Sequence, residues 1–439
     1  MPTTLKRLEK FALQPPTILL PNKGVDLQKW AVVACDQYTS EEEYWQRVSE
    51  YVGSAPSTLK MIYPEVYLEE TNPQERITKI NEVMNQYVDE GLFDSYERSF
   101  FLVHRTDEGE KSGRWGLLAA LDLEQYDWFS GSSALIRASE ETILDRIPPR
   151  KAIRKDAPLE LPHILVLIDD PKATVIEPLS QKTDSFTHLY STPLMEGGGR
   201  VSAWQINDEG EFALIADHLQ ALLDSQGLDD PFLFAMGDGN HSLATAKSCW
   251  LDIKKDLTEE EQAIHPARWA LVEIQNIYDP GIIFEPIHRL LFGVEYQSFL
   301  DLLAQSCESY ETREIATLNE LDEFLQRQDG VQRFGYKDKE RFLLFTLTNP
   351  ITSLTAGTIQ KVIDQLLEKQ LARVDYTHGE EVTLRLGSLE TNAAIILPDF
   401  PKSAFFKAVL EDGSLPRKTF SMGHAHQKRF YLEGRKIIV

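Results

Sequence analysis

The chain of 439 residues carries 45 basic and 69 acidic side chains, which gives a formal net charge of −24. A surface this negative repels a phosphate backbone, so we expect no nucleic-acid partner, although a local basic pocket could still hold a small anion. The length suits about two or three domains. The hydrophobic content of 42% and the charged content of 26% are typical of a globular protein.

No feature of the sequence indicates a membrane or extracellular protein. The N-terminal sequence MPTTLKRLEKFALQ lacks the apolar core of a secretory signal, and no apolar stretch is long enough to span a bilayer. Cys35, Cys249 and Cys307 form no CxxC pair, so we expect them to be reduced and to act as small hydrophobic residues. We therefore predict a cytoplasmic protein without a membrane partner.

The first third of the chain alternates between apolar runs and amphipathic segments. Thr39 and Ser40 precede three acidic residues and predict a helix N-terminus, with the helix continuing to about Tyr51. A second helix is predicted to begin at Asn72 and Pro73. Strands are predicted at 17–21, 29–35, 99–105 and 115–123.

The middle of the chain alternates in the same way, which is typical of an α/β protein with a mixed sheet. A helix is predicted from about Glu211 to Ser225, and another follows residue 242. Strands are predicted at 163–170, 202–206, 231–236, 269–277 and 282–292.

The last third has a different pattern and predicts an α+β region. Amphipathic helices are predicted near 295–309, 317–328 and 358–370, and a hairpin is predicted at 333–347. We therefore place a boundary near residue 293, which gives an N-terminal region 1–293 with the catalytic and phosphate-binding residues and a C-terminal α+β region 294–439.

The sequence GDGNHS, residues 237–242, joins a predicted buried strand to a predicted helix. Gly237 and Gly239 allow a tight turn and a close approach of the backbone to a ligand. A helix N-terminus presents N–H groups and partial positive charge to an anion. Asp238 could hold a metal ion or act as a base, and His241 could donate to a phosphate oxygen.

A structural interpretation of the same loop stays open. Asn240 or Ser242 could cap the helix, and Asp238 could support the turn through its side chain. A short glycine motif is a weak signal on its own. The loop therefore indicates a phosphate site only in combination with other residues.

A basic concentration in this acidic chain forms a second candidate, residues 135–155. Ser139 predicts a helix cap, with Glu140 in the first turn and Arg146 later in the same helix. A carboxylate beside guanidinium groups suits phosphoryl transfer to a hydroxyl, because it offers a proton acceptor and cations for the developing charge. A capped surface helix is the structural alternative. The basic side chains are those of Arg137, Arg146, Arg150, Lys151, Arg154 and Lys155.

Histidines in the last third of the chain give weaker signals. On a strand, His424 and His426 would face the same side and could bind a metal, but structural or phosphate-contact roles are favoured because no third ligand is near in sequence. His288, on an apolar strand, is predicted to be a hydrogen-bonded core histidine.

Several segments together resemble the domain-of-unknown-function family 1015. The matching segments follow in the expected order along nearly the whole chain: VACDQYTSEEEYW, LIRASEETILDRIPPR, FAMGDGNHSLATA, EPIHR, DYTHG and LPRKTFSMGHAHQKRFY. The resemblance implies a ParB/sulfiredoxin-like catalytic portion, and in the kinase members of that fold the loop binds nucleotide phosphates while an earlier Glu activates serine. Asp238, Gly239 and His241 match the loop, and Glu140 lies in the earlier acidic segment.

The chain departs from the family motif Asp-Gly-His-His-Arg at two positions. Asn240 stands where the first His is usual, and Ser242 stands where Arg is usual. The lost arginine removes a phosphate-binding cation that Arg137, Arg146 or Arg289 would have to replace.

The resemblance and the two candidate segments lead to a phosphotransferase hypothesis. The substrate would be a small hydroxylated metabolite, with serine and phosphoserine favoured, and the cofactors would be Mg²⁺ and ATP or ADP. Glu140 would be the base, Asp238 would bind Mg²⁺ or assist proton transfer, and Arg146 would neutralise charge. A non-enzymatic nucleotide- or metabolite-binding protein is the alternative, whereas ParB-like DNA binding is disfavoured by the net charge.

Overall fold

A computed structural model describes residues 3–68, 70–110, 113–227, 230–416 and 418–438. The chain forms two compact units, a first unit of residues 1–282 with 424–439 and a second unit of residues 283–423. These units differ from the sequence-based ranges 1–293 and 294–439, because the C-terminal residues pair with strands of the first unit. Residues 430–431 pair with 32–33, and residues 435–436 pair with 159–160.

Helices occur throughout both units, and among the described residues none is long and apolar enough to cross a membrane. They are α1 Thr3–Glu9, α2 Leu27–Trp30, α3 Glu42–Val52, α4 Pro73–Asp89, α5 Ile147–Arg154, α6 Glu177–Ser180, α7 Glu209–Gln226, α8 Asn240–Ile253, α9 Glu259–Ile264, α10 Tyr296–Leu303, α11 Leu318–Leu325, α12 Thr355–Glu368, α13 Glu380–Gly387 and α14 Phe405–Asp412.

The strands lie between these helices, singly or in groups. They are β1 Leu13–Gln14, β2 Ile18–Pro21, β3 Val32–Val33, β4 Phe93–Tyr96, β5 Phe100–Thr106, β6 Arg114–Asp122, β7 Tyr126–Asp127, β8 Ile136–Arg137, β9 Leu159–Glu160, β10 Leu165–Ile168, β11 Thr187–Pro193, β12 Arg200–Ile206, β13 Phe234–Asp238, β14 Trp269–Asn276, β15 Phe284–Pro286, β16 His288–Phe292, β17 Cys307–Glu314, β18 Arg333–Lys337, β19 Phe342–Pro350, β20 Arg373–Thr377, β21 Asn392–Ile396, β22 Phe420–Met422, β23 Phe430–Tyr431 and β24 Arg435–Lys436.

The first unit is built on one large mixed sheet, as the predicted α/β class requires. Its strand order is β11-β12-β5-β6-β14-β10-β13-β8-β7, and β1 also pairs with β6. Strand β10 runs parallel to β14 and antiparallel to β13. Strand β13 leads into the GDGNHS loop, so the loop lies at an end of a central strand of this sheet.

Both faces of this sheet are buried. In β5, Leu102 packs in one hydrophobic cluster, while its neighbours Phe101 and Val103 pack in another. Strand β6 repeats the alternation with Leu117 and Leu118. Because successive side chains of a strand point to opposite faces, helices and loops must cover the sheet on both sides. The central strands are therefore firmly positioned supports for the loop.

The second unit contains an antiparallel sheet of order β17-β19-β18-β21-β16-β20. Helix α12 covers it with a buried apolar face that includes Ile359, Val362, Ile363 and Leu366. The predicted hairpin is confirmed, since β18 and β19 pair antiparallel. The helix predicted at 295–309 is shorter than expected, because the chain from Cys307 onward pairs with β19 as strand β17.

Three acidic side chains interact in the second unit. Burial, followed by the charges of Asp322 and Asp399, raises the pKa of Glu380 to about 7. The folded chain therefore binds this proton more tightly than the unfolded chain does. The resulting stabilisation is complete below the ordinary glutamate pKa of about 4.3 and is lost as the pH rises through about 7.

Glu380→Gln is expected to stabilise the protein at pH 8 and to leave it unchanged at pH 4. We expect the free energy of unfolding to rise by about 1 kcal/mol at pH 8, a value already reduced for solvent screening at this partly buried site. Urea unfolding at both pH values measures it. The exposed neighbour Glu381 supplies the control variant Glu381→Gln, and an equal gain in both variants would contradict the assignment.

Candidate functional site

The GDGNHS loop turns directly from β13 into α8. Asp238 is the last residue of the strand and Asn240 the first of the helix, with Gly239 between them at a φ of +81°. This left-handed conformation favours glycine, and a Cβ at this position would lie 3.3 Å from the Ile164 Cα. Glycine therefore allows a helix N-terminus, with its N–H groups, to begin immediately at the end of the sheet.

Asp238 forms a well-shielded ion pair. The Lys428 ammonium lies 3.0 Å from one carboxylate oxygen, and the Gly239 N–H donates to the other oxygen at 3.0 Å. Burial opposes ionisation, but the Lys428 charge outweighs it and holds the pKa of the Asp238 carboxyl below its ordinary value. Asp238 is therefore an anion at neutral pH, and its partner cation lies beside the loop.

This ion pair bears on the predicted Mg²⁺ site at Asp238. Each carboxylate oxygen already has one partner and can accept another, so a bound cation would share Asp238 with Lys428. Within the described residues, no group of three or more His, Cys, Asp or Glu side chains is arranged to hold a metal ion. Mg²⁺ ordinarily reaches such sites with the phosphates of its substrate, held by only one or two carboxylates. A Mg²⁺ ligand role for Asp238 stays a prediction.

The loop also holds the earlier acidic segment in place. The Asn240 side-chain oxygen accepts the Ser139 N–H at 3.2 Å, and its amide donates to the Ser139 hydroxyl at 3.3 Å. The His241 Nε2 accepts the Ile143 N–H at 3.2 Å. Residues 139–143, which include Glu140, are thereby attached to the first turn of α8.

The helix predicted to begin at Ser139 is wrong. Residues 139–143 are not helical, and α5 begins at Ile147 with prolines in its first turn. The sequence Ser-Glu-Glu resembles a cap, but the Ser139 and Ile143 N–H groups bond to α8 instead. Tertiary hydrogen bonds have replaced the local capping pattern.

The predicted cations occupy different environments. Arg146 is exposed, at the start of α5. Arg137 is buried and donates to the Ala134 and Asp230 carbonyl groups at 2.7 and 3.1 Å, with its guanidinium stacked over Phe232. Arg137 is thus already used to hold backbone.

Arg289 belongs to the second unit. It is fully buried, donates to the Ile287 carbonyl and, at 2.9 Å, to the Lys418 carbonyl, and stacks over the Tyr376 ring. These contacts give it a role in the packing of its own sheet. Its predicted phosphate contact stays a prediction.

Ser242 contacts a histidine that the sequence analysis did not single out. Its hydroxyl lies 2.7 Å from the His163 Nε2, and the His163 Nδ1 lies 2.9 Å from the Tyr431 hydroxyl. The Tyr431 oxygen also accepts the Cys35 N–H at 3.1 Å. Burial, followed by the Asp36 charge, raises the pKa of the Cys35 thiol to about 12, so this cysteine stays a thiol.

The other histidine predictions have mixed outcomes. His288 is a core histidine as predicted, because its Nδ1 accepts the Leu397 N–H at 3.2 Å and burial lowers its pKa to about 4. His424 precedes a short 3₁₀ turn and His426 lies within it, so neither is on a strand, and their rings stack 5.7 Å apart.

Lys428, His163 and Tyr431 are the site residues that the sequence analysis missed. Two of them lie in the segment HQKRFY, which was noted only as part of the family resemblance, and His163 begins the strand-like run HILVLIDD. The lysine and the tyrosine follow His424 and His426 closely in sequence, and this proximity could have marked them as candidate site residues. Their partners lie far away in sequence, so no local pattern could assign their roles.

Comparison with known families assigns the chain. Residues 19–368 match the family model described as "Protein of unknown function (DUF1015)". The chain therefore belongs to the DUF1015 family, and the predicted family is confirmed. No curated protein matches the chain.

Solved structures give weak likenesses. A free serine kinase in complex with AMP is 10% identical with a TM-score of 0.40, covering 73% of this chain and 91% of the kinase. A conserved hypothetical protein from Pyrococcus furiosus is 11% identical with a TM-score of 0.37, covering 73% and 95%. SbnI with a C-terminal truncation, from Staphylococcus aureus, is 11% identical with a TM-score of 0.34, covering 72% and 82%. Likenesses this low carry no argument about activity, and the ParB/sulfiredoxin-like relation stays a prediction.

Proposed function

We propose that the first unit is a phosphotransferase that moves a phosphoryl group between a nucleotide and a small hydroxylated metabolite, with serine and phosphoserine as the first pair to test. The attachment of residues 139–143 to the N-terminus of α8 carries the proposal. This attachment joins the segment that contains Glu140 to the first turn of α8, which begins two residues after Asp238, the partner of Lys428. In the proposed site, an acid, a cation and backbone donors would act together.

The proposed roles follow from the chemistry of these groups. The first-turn N–H groups of α8 and the Lys428 ammonium would stabilise the phosphate oxygens. Asp238 would hold the Lys428 side chain in place. The metabolite hydroxyl would attack the terminal phosphorus while Glu140 takes its proton, and the bond from phosphorus to the nucleoside diphosphate would break. Mg²⁺ bound to the nucleotide would supply further charge neutralisation.

Glu140→Gln tests the proposed base. We expect formation of phosphoserine from serine and MgATP, and its breakdown with MgADP, to fall by about 10²–10⁴-fold, the usual contribution of a general base. The matched control is Glu141→Gln, which makes the same change at the exposed next residue and should retain activity. Full activity in Glu140→Gln, or an equal loss in both variants, would remove Glu140 from the mechanism.

The contacts of Asn240 and Ser242 favour a second candidate, a nucleotide- or metabolite-binding protein without chemistry. Both side chains are uncharged and hold other parts of the chain, so neither replaces the cation that the family motif offers to phosphate. Calorimetry with ADP separates the two functions when it is combined with the phosphoserine assay. Tight binding with no turnover of serine or phosphoserine would select the second candidate.

A further inference from the structure

A cavity of about 150 Å³ lies beside the loop in the first unit. Ser242 and His163 line it, and Met61, Met84 and Ile153 contribute to an apolar wall. A space of this size suits a compact metabolite.

The charged side chains that line the cavity are paired with one another. Arg150 forms an ion pair with Glu65, and Arg154 forms one with Glu160 at 2.5 Å. Glu160 also pairs with Arg435, so the carboxylates and guanidinium groups of the lining already have partners. The rest of the lining is mostly apolar, so the cavity favours a neutral, apolar body over a charged one.

The polar end of the cavity has a defined hydrogen-bond direction. The Cys35 N–H can only donate, so the Tyr431 oxygen accepts from it and the Tyr431 proton points elsewhere. The strong acceptor within reach of that proton is the His163 Nδ1, at 2.9 Å. The Cys35 thiol also adjoins this hydroxyl, but sulfur accepts only weakly.

The tautomer of His163 follows from this direction. With Nδ1 as the acceptor, the neutral imidazole carries its proton on Nε2, which then donates to the Ser242 oxygen at 2.7 Å. The nearest Asp36 oxygen is 4.0 Å from Nε2, which is too far for a hydrogen bond. The Ser242 hydroxyl proton is therefore directed away from His163, and Ser242 lines the cavity.

We propose that this cavity binds the metabolite that accepts the phosphoryl group. This metabolite has a neutral apolar body with a hydroxyl at one end, and the Ser242 hydroxyl donates a hydrogen bond to that end. The assignment rests on the proposed phosphotransferase function and deepens it, because it makes serine, the first acceptor to test, a weaker acceptor than a less polar alcohol. The cavity's shape and hydrogen-bond direction are independent of that function. His163 and Tyr431 are positioning residues, since they act on the ligand through Ser242. Because Ser242 lies in the first turn of α8, the ligand hydroxyl would lie next to the proposed phosphate position.

The tautomer can be measured without any ligand. Nitrogen-15 NMR of His163 in the full chain is expected to show a protonated Nε2 and a bare Nδ1. Tyr431→Phe keeps the ring but removes the proton that fixes Nδ1 as the acceptor, so the tautomer should shift toward a protonated Nδ1. Tyr126→Phe is the matched control, because Tyr126 is equally buried in the same unit and should leave His163 unchanged. A protonated Nδ1 in the wild-type protein would overturn the hydrogen-bond direction.

Binding is tested with 3-methylbutan-1-ol and L-serine, by amide NMR titration without nucleotide. We expect the alcohol to bind more tightly than serine and to shift amides around residues 61, 84 and 242. Ser242→Ala and Tyr431→Phe should each lower the affinity for the alcohol about fivefold, the usual effect of one neutral hydrogen bond. The double variant should bind the alcohol as tightly as either single variant, because both substitutions remove the same hydrogen bond. Equal or tighter binding of serine, or no alcohol binding, would overturn the apolar-body assignment. If the alcohol binds but neither it nor serine is phosphorylated, the binding site is supported and the phosphotransferase function is contradicted.

Discussion

Arg429→Met is expected to lower the free energy of unfolding of the first unit by about 3–5 kcal/mol, the cost of breaking a buried ion pair from one side. The Arg429 guanidinium contacts the carboxylates of Glu273 and Glu433 and donates to the Pro162 carbonyl at 2.9 Å. All three charged side chains are at least nine-tenths buried. Methionine would fill much of the same volume but leave two carboxylates without their cation. Urea unfolding followed by tryptophan fluorescence measures the loss.

A second variant separates charge from packing in this prediction. Adding Glu273→Gln and Glu433→Gln to Arg429→Met removes the uncompensated charges, so we expect the triple variant to recover much of the lost stability. Lys339→Ala, which breaks an exposed ion pair with Glu390, is the surface control and should change stability by less than about 1 kcal/mol. A loss in Arg429→Met that the added substitutions leave unchanged would show that packing, and not charge, dominates.

The network around Arg429 matters for the site because of its neighbour. Lys428 precedes Arg429 and forms the ion pair with Asp238. Arg105 donates to the Lys428 carbonyl at 3.2 Å and to the His426 carbonyl at 2.9 Å. The C-terminal segment is thus fixed by buried side chains on both sides of the lysine.

Asp238→Asn is expected to reduce phosphoryl transfer by about 10²–10³-fold, the effect of removing one preorganised electrostatic contact in a catalytic site. The loss should appear in kcat rather than in KM, because Lys428 would no longer be held where charge develops. Steady-state assays with MgATP and serine measure this division between kcat and KM.

The matched control for Asp238 is an aspartate near the far end of α8. Asp252→Asn makes the same change near the end of α8, where Asp252 is exposed and pairs with Lys151 and Lys255. It should keep wild-type kinetics. Unchanged kcat in Asp238→Asn, or an equal loss in Asp252→Asn, would contradict a role for the Asp238–Lys428 pair in the reaction.

Local patterns predicted much of the fold. The alternating or continuous apolar runs at 115–123 and 231–236 gave strands β6 and β13, and the run at 333–347 gave a real hairpin. The glycine turn after β13 was also correctly predicted to precede a helix. The turn needs a positive φ at Gly239, and this need depends only on the local backbone. Such features depend on neighbours within a few residues of one another, which is why the sequence reveals them.

Long-range contacts explain what the sequence could not predict. Ser139 bonds to Asn240, 101 residues away, and this contact displaced the predicted helix cap. The residues near Val32 were expected to form a full strand, but β3 has only two residues and pairs with β23 near the C-terminus. The Asp238–Lys428 pair depends on the same return of the chain. No pattern within a short window contains these partners.

The GDGNHS loop is the proposed phosphate site. Amide NMR of the full chain, titrated with ADP and then with inorganic pyrophosphate, tests this assignment. Both anions should shift the amides of residues 239–242 the most, and Lys428→Met should weaken both effects, because its ammonium lies beside the loop. Saturating ADP that leaves these amides unchanged, or that shifts only amides elsewhere in the chain, would contradict the assignment.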